Sequence, residues 1–296
     1  MLCVLYVITV GTLLSIAGLL VERVLPVTFP RRWVWLLVIA ISVIIPGVYR
    51  ARHTMAVTDA LAHADSYGAP ISRLGLIASA LMLILALANA WRVSRVVSLS
   101  RRQTDTSNPA MIDGVPVVVT DSMGPATVGL LRSRVLVPRW VLALPGVQRQ
   151  YVLRHEDEHR RAHDAGLLFL ASVPLILMPW NPAIWWQLRR LSLAVEMDCD
   201  RRVVSALGDA TAYGTLLLKV AQAASRGPRL QPAFLGAGML EHRLTAMLAP
   251  TPLRHVQRFL LPAAAGALLL LVLLMPHPVL GHEAHTHVAM SQSPKR

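Results

Sequence analysis

The sequence predicts a mainly α-helical membrane protein with four transmembrane helices and a cytoplasmic α+β domain. Three observations support this fold class. The 296 residues are 54% hydrophobic and only 15% charged, with a mean hydropathy of +0.51, whereas about a quarter of the residues of a soluble domain are charged. Long apolar segments flank a more polar central region. Within that region, His155 and His159 stand at a helical spacing that suits a metal ion.

Four apolar segments are suited to cross a bilayer as helices. Three are predicted within residues 1–92, at about 2–21, 33–49 and 74–91, and the fourth at 258–276. The first has no charged residue, and about 20 helical residues rise roughly 30 Å, the thickness of the hydrocarbon core. Because no basic segment precedes it, we expect a retained span rather than a cleaved signal peptide.

The placement of arginine residues sets the predicted orientation of these spans. Positive charge is concentrated after the first span and after the third, at Arg23, Arg31, Arg32, Arg92, Arg95, Arg101 and Arg102. Cytoplasmic loops are enriched in Lys and Arg. We therefore expect a multi-pass protein of the inner (cytoplasmic) membrane, with the N-terminus and the tail 277–296 outside and residues 93–257 in the cytoplasm.

The central region contains the sequence His-Glu-Asp-Glu-His at residues 155–159. Residues four apart lie on one face of a helix, so His155 and His159 are placed to bind one ion. A catalytic zinc ion takes three protein ligands, and Glu156 stands beside the pair as general base. The motif is bracketed by Arg149, Arg154, Arg160 and Arg161. Four arginines are too costly in lipid, so this helix is expected in the cytoplasm.

We expect the third zinc ligand on a second helix. His163 continues the series but lies about 12 Å along the axis from His155, too far to share an ion. Glu196 and Asp200 are one helical turn apart. Glu196 is predicted to bind the metal, and Asp200 to accept a hydrogen bond from a ligand histidine and fix its tautomer. The alternative is a solvated acidic patch ahead of Arg201.

Peptide hydrolysis also needs a donor that stabilises an oxyanion. Tyr213 and His163 are the candidates by residue type, with a polar surface position as the alternative for His163. Upstream, β-branched residues at 115–120 and 135–137 predict strands separated by turns. A sheet edge there is suited to hold an extended peptide by strand addition, although ordinary core strands explain the same pattern.

The apolar segment 166–186 has no charged residue, and by hydropathy alone it predicts a fifth span. The expected ligands on its two sides must reach one ion, however, and therefore lie on the same side of the bilayer. Pro174, Pro179 and Pro182 interrupt the segment. We predict a hairpin that dips into the inner leaflet. The alternative, a plain fifth crossing, separates the ligands.

Composition limits the other functions. The net charge of +13 and the pI of about 11.2 raise nucleic acid as a partner, but the arginines flank apolar segments, so no direct nucleic-acid binding is expected. Cys3 and Cys199 provide no disulfide framework. The tail is expected to be disordered outside the cell, with a metal site at His282, His285 and His287 as the alternative. No charged residue lies in the middle of a span, which argues against a transporter.

These motifs resemble those of the BlaR/MecR antirepressor family of membrane zinc metallopeptidases. The likeness rests on HEDEHRRAHD at 155–164, the turn at 180–182, EMDCD at 196–200, Tyr213 and LEHRLTAML at 240–248. It implies a gluzincin-like domain that covers residues 93–257. The resemblance assigns one zinc ion to His155, His159 and Glu196, catalysis to Glu156 and a supporting role to Asp200.

The resemblance also implies a function, the zinc-dependent hydrolysis of a cytoplasmic or membrane-proximal protein in signal transduction. The substrate in that family is often a small winged-helix repressor of the BlaI/MecI kind. In its signalling members the last span leads into a penicillin-binding sensor domain, and the short tail here gives no expectation of β-lactam sensing.

Two further expectations accompany this function. The alternative to a peptidase is a non-catalytic membrane signalling subunit that uses the peptidase-like domain to bind a partner.

Asp157 and Glu158, which lie between the catalytic residue and the second histidine, are expected to face solvent. No oligomeric state is predicted.

Overall fold

The computed structural model shows an apolar helical bundle beside a small sheet covered by helices. The described residues are 2–26, 28–61, 80–91 except 82, 86, 89 and 90, 110–120, 125–130, 133–225, 237–248 and 256–275. The predicted tail 277–296 and much of the predicted third span lie outside these residues. Helices dominate the described part of the chain, as the sequence predicts.

The elements follow in chain order, with bounds that apply throughout. The first helices and the strands are α1 (Leu2–Val24), α2 (Arg32–Leu61), β1 (Ala110–Ile112), β2 (Val115–Thr120), β3 (Ala126–Val128) and β4 (Arg134–Pro138). The later helices are α3 (Arg139–Leu142), α4 (Gly146–Ala162), α5 (Asp164–Ser172), α6 (Pro174–Leu177), α7 (Pro182–Leu207), α8 (Ala210–Ser225), α9 (Ala237–Leu248) and α10 (Gln257–Leu274). The described residues between 80 and 91 are also helical.

The bundle is built around α1, which packs against both α2 and α10. Most of the buried side chains in these contacts are apolar, and they include Val10, Leu14, Trp35 and Val272. These residues are far apart in the sequence, so burial of their apolar surface joins the first helices of the chain to the last.

Among the residues that the structure describes, two helices are long and apolar enough to cross a membrane, Val4–Val24 and Gln257–Leu274. They coincide with the predicted first and fourth spans. The apolar part of α2, Arg32–Val48, is shorter, although α2 itself continues for 30 residues. Leu274 of α10 exposes 71% of its surface, as expected for a side chain that contacts lipid. The number of spans remains a prediction.

The sheet confirms the two predicted strands and adds an edge strand on each side. The order is β1-β2-β4-β3, with β2 and β4 parallel and both outer pairs antiparallel. Asp113 and Gly114 join β1 to β2, and both have positive φ, at 48° and 79°, which favours the Asp-Gly sequence in a tight hairpin. Valines of β2 and β4 pack against α4, so the sheet supports the helix that carries the histidine pair.

The predicted hairpin at 166–186 consists of most of α5, then α6 and the beginning of α7. Asn181 caps α7, since its side-chain oxygen accepts a hydrogen bond from the backbone N–H of Ala183. This end of α7 lies against the middle of α1. A Cβ atom on Gly11 would lie only 2.9 Å from the Cβ atom of Ala183, so the close approach depends on glycine.

The buried side-chain amide of Gln187 joins the beginning of α7 to the bundle by hydrogen bonds. The Nε2 atom of Gln187 lies 3.0 Å from the carbonyl oxygen of Gly11, 2.9 Å from Oγ of Ser15 and 3.0 Å from Oγ of Ser42. Gln187 and Ser42 are fully buried, and polar groups in apolar surroundings are stable only with such partners. The contact fixes α7 at mid-length of α1, while the depth of this segment in a bilayer stays a prediction.

Replacing Gly11 by leucine tests this packing. The added side chain has no room between α1 and α7, so we expect Gly11→Leu to lower the free energy of unfolding by about 1–3 kcal/mol or more. The matched control is Gly47→Leu, because a Cβ atom at Gly47 meets nothing within 4 Å. Denaturant unfolding of the detergent-solubilised protein measures both, and equal stability of the two variants would contradict the described helix contact.

Candidate metal centre

The histidine pair of α4 forms one half of the candidate metal centre. The Nε2 atoms of His155 and His159 lie 3.2 Å apart, and their rings are nearly perpendicular, at 89°. Helical spacing places the two residues on one face. Their side chains are only 13% and 12% exposed, so the two nitrogen atoms lie in a largely buried position.

Glu196 of α7 supplies the other half of the centre. Its Oε2 atom is 3.6 Å from Nε2 of His155, and its Oε1 atom is 3.7 Å from Nε2 of His159. Ligands at roughly 2.1 Å from a tetrahedral zinc ion are separated by about 3.4 Å. The distances between the two nitrogens and the carboxylate oxygens are near this spacing. Glu196 as the third zinc ligand remains a prediction.

Cys199 offers a competing donor. Its Sγ atom lies 3.3 Å from Nδ1 of His155, and suitable donor atoms of His155, His159 and Cys199 all lie within 4.8 Å of one another. A thiolate is also a common zinc ligand. However, the Nδ1 atom of His155 already contacts the hydroxyl of Tyr213 at 2.8 Å. That contact leaves Nε2, on the side of Glu196, for the metal.

The electrostatics of the centre favour positive charge. Burial opposes ionisation of His155, yet the neighbouring Cys199 and Glu196 raise its pKa to about 10. Burial likewise opposes ionisation of Glu196, but Arg243 and the two histidines lower its pKa. Metal binding requires neutral imidazole rings, so zinc is expected to compete with protons for the two histidines.

A chain of hydrogen bonds supports His155. The Tyr213 hydroxyl lies 2.8 Å from Oδ1 of Asp200 and 2.8 Å from Nδ1 of His155. Because a carboxylate only accepts, the hydroxyl donates to Asp200, and its oxygen accepts from the Nδ1–H group. Asp200 is held in turn by two 2.7 Å hydrogen bonds from Arg243. Asp200 thus supports the ligand histidine mainly through Tyr213, rather than by the direct contact that we expected.

A different carboxylate supports His159. Oδ2 of Asp164 lies 2.8 Å from Nδ1 of His159, which orients Nε2 towards the metal position. Asp164 is almost fully buried, and Arg32 donates to its other oxygen at 2.8 Å. Asp164 was not among the site residues predicted from the sequence. Only its position at the end of the HEDEHRRAHD motif, residues 155–164, could have indicated a role.

The two candidate oxyanion donors are placed differently from the expectation. Tyr213 is 1% exposed and donates its single hydroxyl hydrogen to Asp200, so it has none left for a substrate. His163 ends α4 in the left-handed conformation, with φ of 54°, and its exposed ring contacts the carbonyl oxygen of Arg161. The geometry therefore favours a supporting role for Tyr213 and a capping role for His163.

The expectation that Asp157 and Glu158 face solvent is wrong. They are only 1% and 7% exposed. Asp157 pairs with Arg160 and Arg161, and Glu158 pairs with Arg154 and Arg202. The arginines that bracket the motif neutralise these carboxylates, and this pairing permits their burial.

Glu156 points towards the edge strand β3. The hydroxyl of Thr127 lies 2.7 Å from the backbone carbonyl oxygen of Glu156 and 3.1 Å from its Oε2 atom. Glu156 is 8% exposed. The side chain of the general-base candidate thus contacts the outer strand of the sheet.

Comparison with known proteins agrees with this arrangement. A histidine–glutamate–histidine helix beside a small sheet, together with apolar helices, defines a membrane-associated, peptidase-like protein. The chain belongs to the BlaR1 peptidase M56 family, whose profile matches residues 45–247. The resemblance to the BlaR/MecR family is therefore confirmed. Membership of this family implies a metal, for which zinc is typical.

One relative illustrates the signalling connection. The regulatory protein BlaR1 of Bacillus licheniformis is 24% identical over 120 residues, which are 40% of this chain and 20% of that protein. The matched segment thus spans about a fifth of the relative's length. The family and this relative together support a membrane-associated, peptidase-like role in signalling.

The role of Tyr213 is tested by removing its hydroxyl group. We expect Tyr213→Phe to weaken zinc binding about 10- to 100-fold, because ligand histidines depend on such partners. The matched control is Tyr151→Phe, since Tyr151 stacks on Tyr213 but donates to the carbonyl oxygen of Gly208. Competition with a chelator of known zinc affinity measures both variants. Equal zinc affinities would contradict the supporting role.

Proposed function

We propose that this protein is a membrane-anchored, zinc-dependent endopeptidase that cleaves a cytoplasmic or membrane-proximal protein in signal transduction. The observation that carries this proposal is the convergence of His155, His159 and Glu196, with Glu156 next to His155 in the sequence. These three ligands leave a tetrahedral ion one open position for chemistry. A structural zinc site is typically closed by four protein ligands.

The chemistry divides between the metal and the protein. A bound zinc ion supplies a Lewis acid that polarises the scissile carbonyl and acidifies a nucleophilic water molecule. Glu156 accepts the proton of that water and donates it to the leaving amine. The Thr127 hydroxyl lies 3.1 Å from this carboxylate. Arg243, which lies 2.9 Å from Oε2 of Glu196, fixes the ligand carboxylate and balances its charge.

The edge strand β3 is the proposed docking site for the substrate. It is the outer strand on one side of the sheet, and its Thr127 contacts Glu156. An extended peptide that pairs with this edge would pass next to the general base. This arrangement favours a peptide-binding role for the sheet edge over a purely structural role as core strands.

Contacts between the helical bundle and α7 support a cytoplasmic position for the centre. The backbone N–H groups of Arg31 and Arg32, at the beginning of α2, lie 3.2 Å from the carboxylate of Asp198. Asp198 is two residues from Glu196. The connection between α1 and α2 therefore lies on the same side as the metal centre, and arginines in that connection favour the cytoplasmic face of the inner membrane.

The proposed substrate is a repressor of the BlaI/MecI kind. Support comes from the family and from a relative whose name describes a regulatory protein. Cleavage of such a repressor would relieve repression without contact between this protein and DNA. The high positive charge is explained by arginines that flank apolar helices and pair with buried carboxylates.

Replacing the general base tests the reaction. We expect Glu156→Gln to lower the rate of hydrolysis of such a repressor, or of denatured casein, by about 10²- to 10⁴-fold. The variant should retain one zinc ion per chain, because Glu156 is not among the proposed ligands. The control is Glu241→Gln, which changes an exposed glutamate.

The outcomes separate the two candidate functions. Cleavage by Glu156→Gln at the wild-type rate would contradict the mechanism. A zinc-loaded wild-type protein that binds the repressor without cleaving it would instead favour the non-catalytic signalling subunit. Metal content by atomic emission and fragment analysis by mass spectrometry distinguish these results.

A further inference from the structure

The connection between α1 and α2 reaches both helices that carry the candidate metal ligands. Its Arg32 side chain donates to Oδ1 of Asp164 at 2.8 Å, and Oδ2 of the same carboxylate contacts Nδ1 of His159 at 2.8 Å. One buried carboxylate thus joins a residue of the helical bundle to a ring of the metal centre.

The backbone of the same connection is fixed to α7. Both oxygens of Asp198 accept hydrogen bonds, one from the N–H group of Arg31 and one from that of Arg32. Unpaired N–H groups at the beginning of a helix are stabilised by a carboxylate. Asp198 is 1% exposed and is also bound by Arg201. The position of Arg32 is therefore set by the helix that carries Glu196.

From these contacts we infer that Arg32 is a positioning residue for the metal centre, acting through Asp164 on His159. This inference rests on the proposed function, because it concerns the same centre. The alignment of the His159 ring depends on Asp164, and a buried carboxylate keeps its charge and orientation only with a cationic partner. Arg32 is the closer partner, since Arg202 lies 3.8 Å from Asp164.

The α1–α2 connection thus positions a residue of the metal centre in addition to joining two helices. A shift of α1 and α2 relative to α7 moves Arg32 and thereby the partner of His159. The helical bundle and the affinity of the centre for metal are thus coupled through this ion pair. The coupling acts on metal binding itself, and it is measurable without any peptidase substrate.

The test compares two neighbouring arginines in the full chain in detergent. We expect Arg32→Gln to weaken zinc binding about 10- to 100-fold, the usual effect of losing a group that orients a ligand. The control is Arg31→Gln. Arg31 has the same charge and the same backbone contact with Asp198, but its side chain pairs with Glu22. Arg31→Gln should change the zinc affinity by less than about threefold.

A double-mutant cycle with Asp164→Asn separates positioning from a general structural role. If Arg32 acts through Asp164, Arg32→Gln has little further effect on zinc affinity once Asp164 is asparagine. Unchanged zinc affinity in Arg32→Gln, or fully additive losses in the double variant, would overturn the inference. Zinc affinity is measured by chelator competition, and the absorption of the cobalt-substituted protein reports the coordination geometry.

Further measurements distinguish a loss of folding from a failure of the proposed function. Should Arg32→Gln fail to fold, Arg32→Met, which keeps an unbranched apolar stem, is measured in its place. Failure of both variants alongside a folded Arg31→Gln would assign Arg32 to the fold alone and overturn the inference. A wild-type protein without zinc affinity would contradict the proposed function instead, so the two failures are distinguishable.

Discussion

Buried carboxylates paired with arginines are the interaction on which the rest of the structure depends. Glu158 of α4 is joined to Arg202 of α7 at 2.8 Å. Two further pairs join Asp200 of α7 to Arg243 of α9 and Asp164 of α5 to Arg32 of α2. A buried charge without a partner is strongly destabilising. The first pair therefore fixes α4 against α7, and with it the distance between the histidine pair and Glu196, while the other two attach α9 and α2 to the centre.

Helix α7 extends this constraint into the apolar bundle. Near its beginning Gln187 contacts α1 and α2, and nine residues later, about 14 Å along the axis, Glu196 faces the histidines. Because one continuous helix carries both contacts, the bundle and the centre are mechanically linked. The Arg32–Asp164 contact forms a second link between them. A peptidase-like protein in signalling needs such a connection between membrane and site, and here packing and charge provide it.

The sequence predicted those parts of the centre that local spacing determines. The i, i+4 histidines, the strands at 115–120 and 135–137, and the position of Glu196 one turn from Asp200 all follow from periodicity. The contact between Arg32 and Asp164 joins residues 132 positions apart, so no local pattern reveals it. The burial of Asp157 differs from the prediction because its arginine partners were expected only to keep the helix out of the bilayer, and not to form ion pairs with it.

We propose that one metal ion is bound by two histidines and the carboxylate of Glu196. X-ray absorption spectroscopy of the protein loaded with one equivalent of zinc is the sharpest test of this donor set. We predict nitrogen and oxygen neighbours of the zinc ion at about 2.0–2.1 Å and no sulfur. A zinc–sulfur distance of about 2.3 Å would identify Cys199 as a ligand and contradict the proposed donor set.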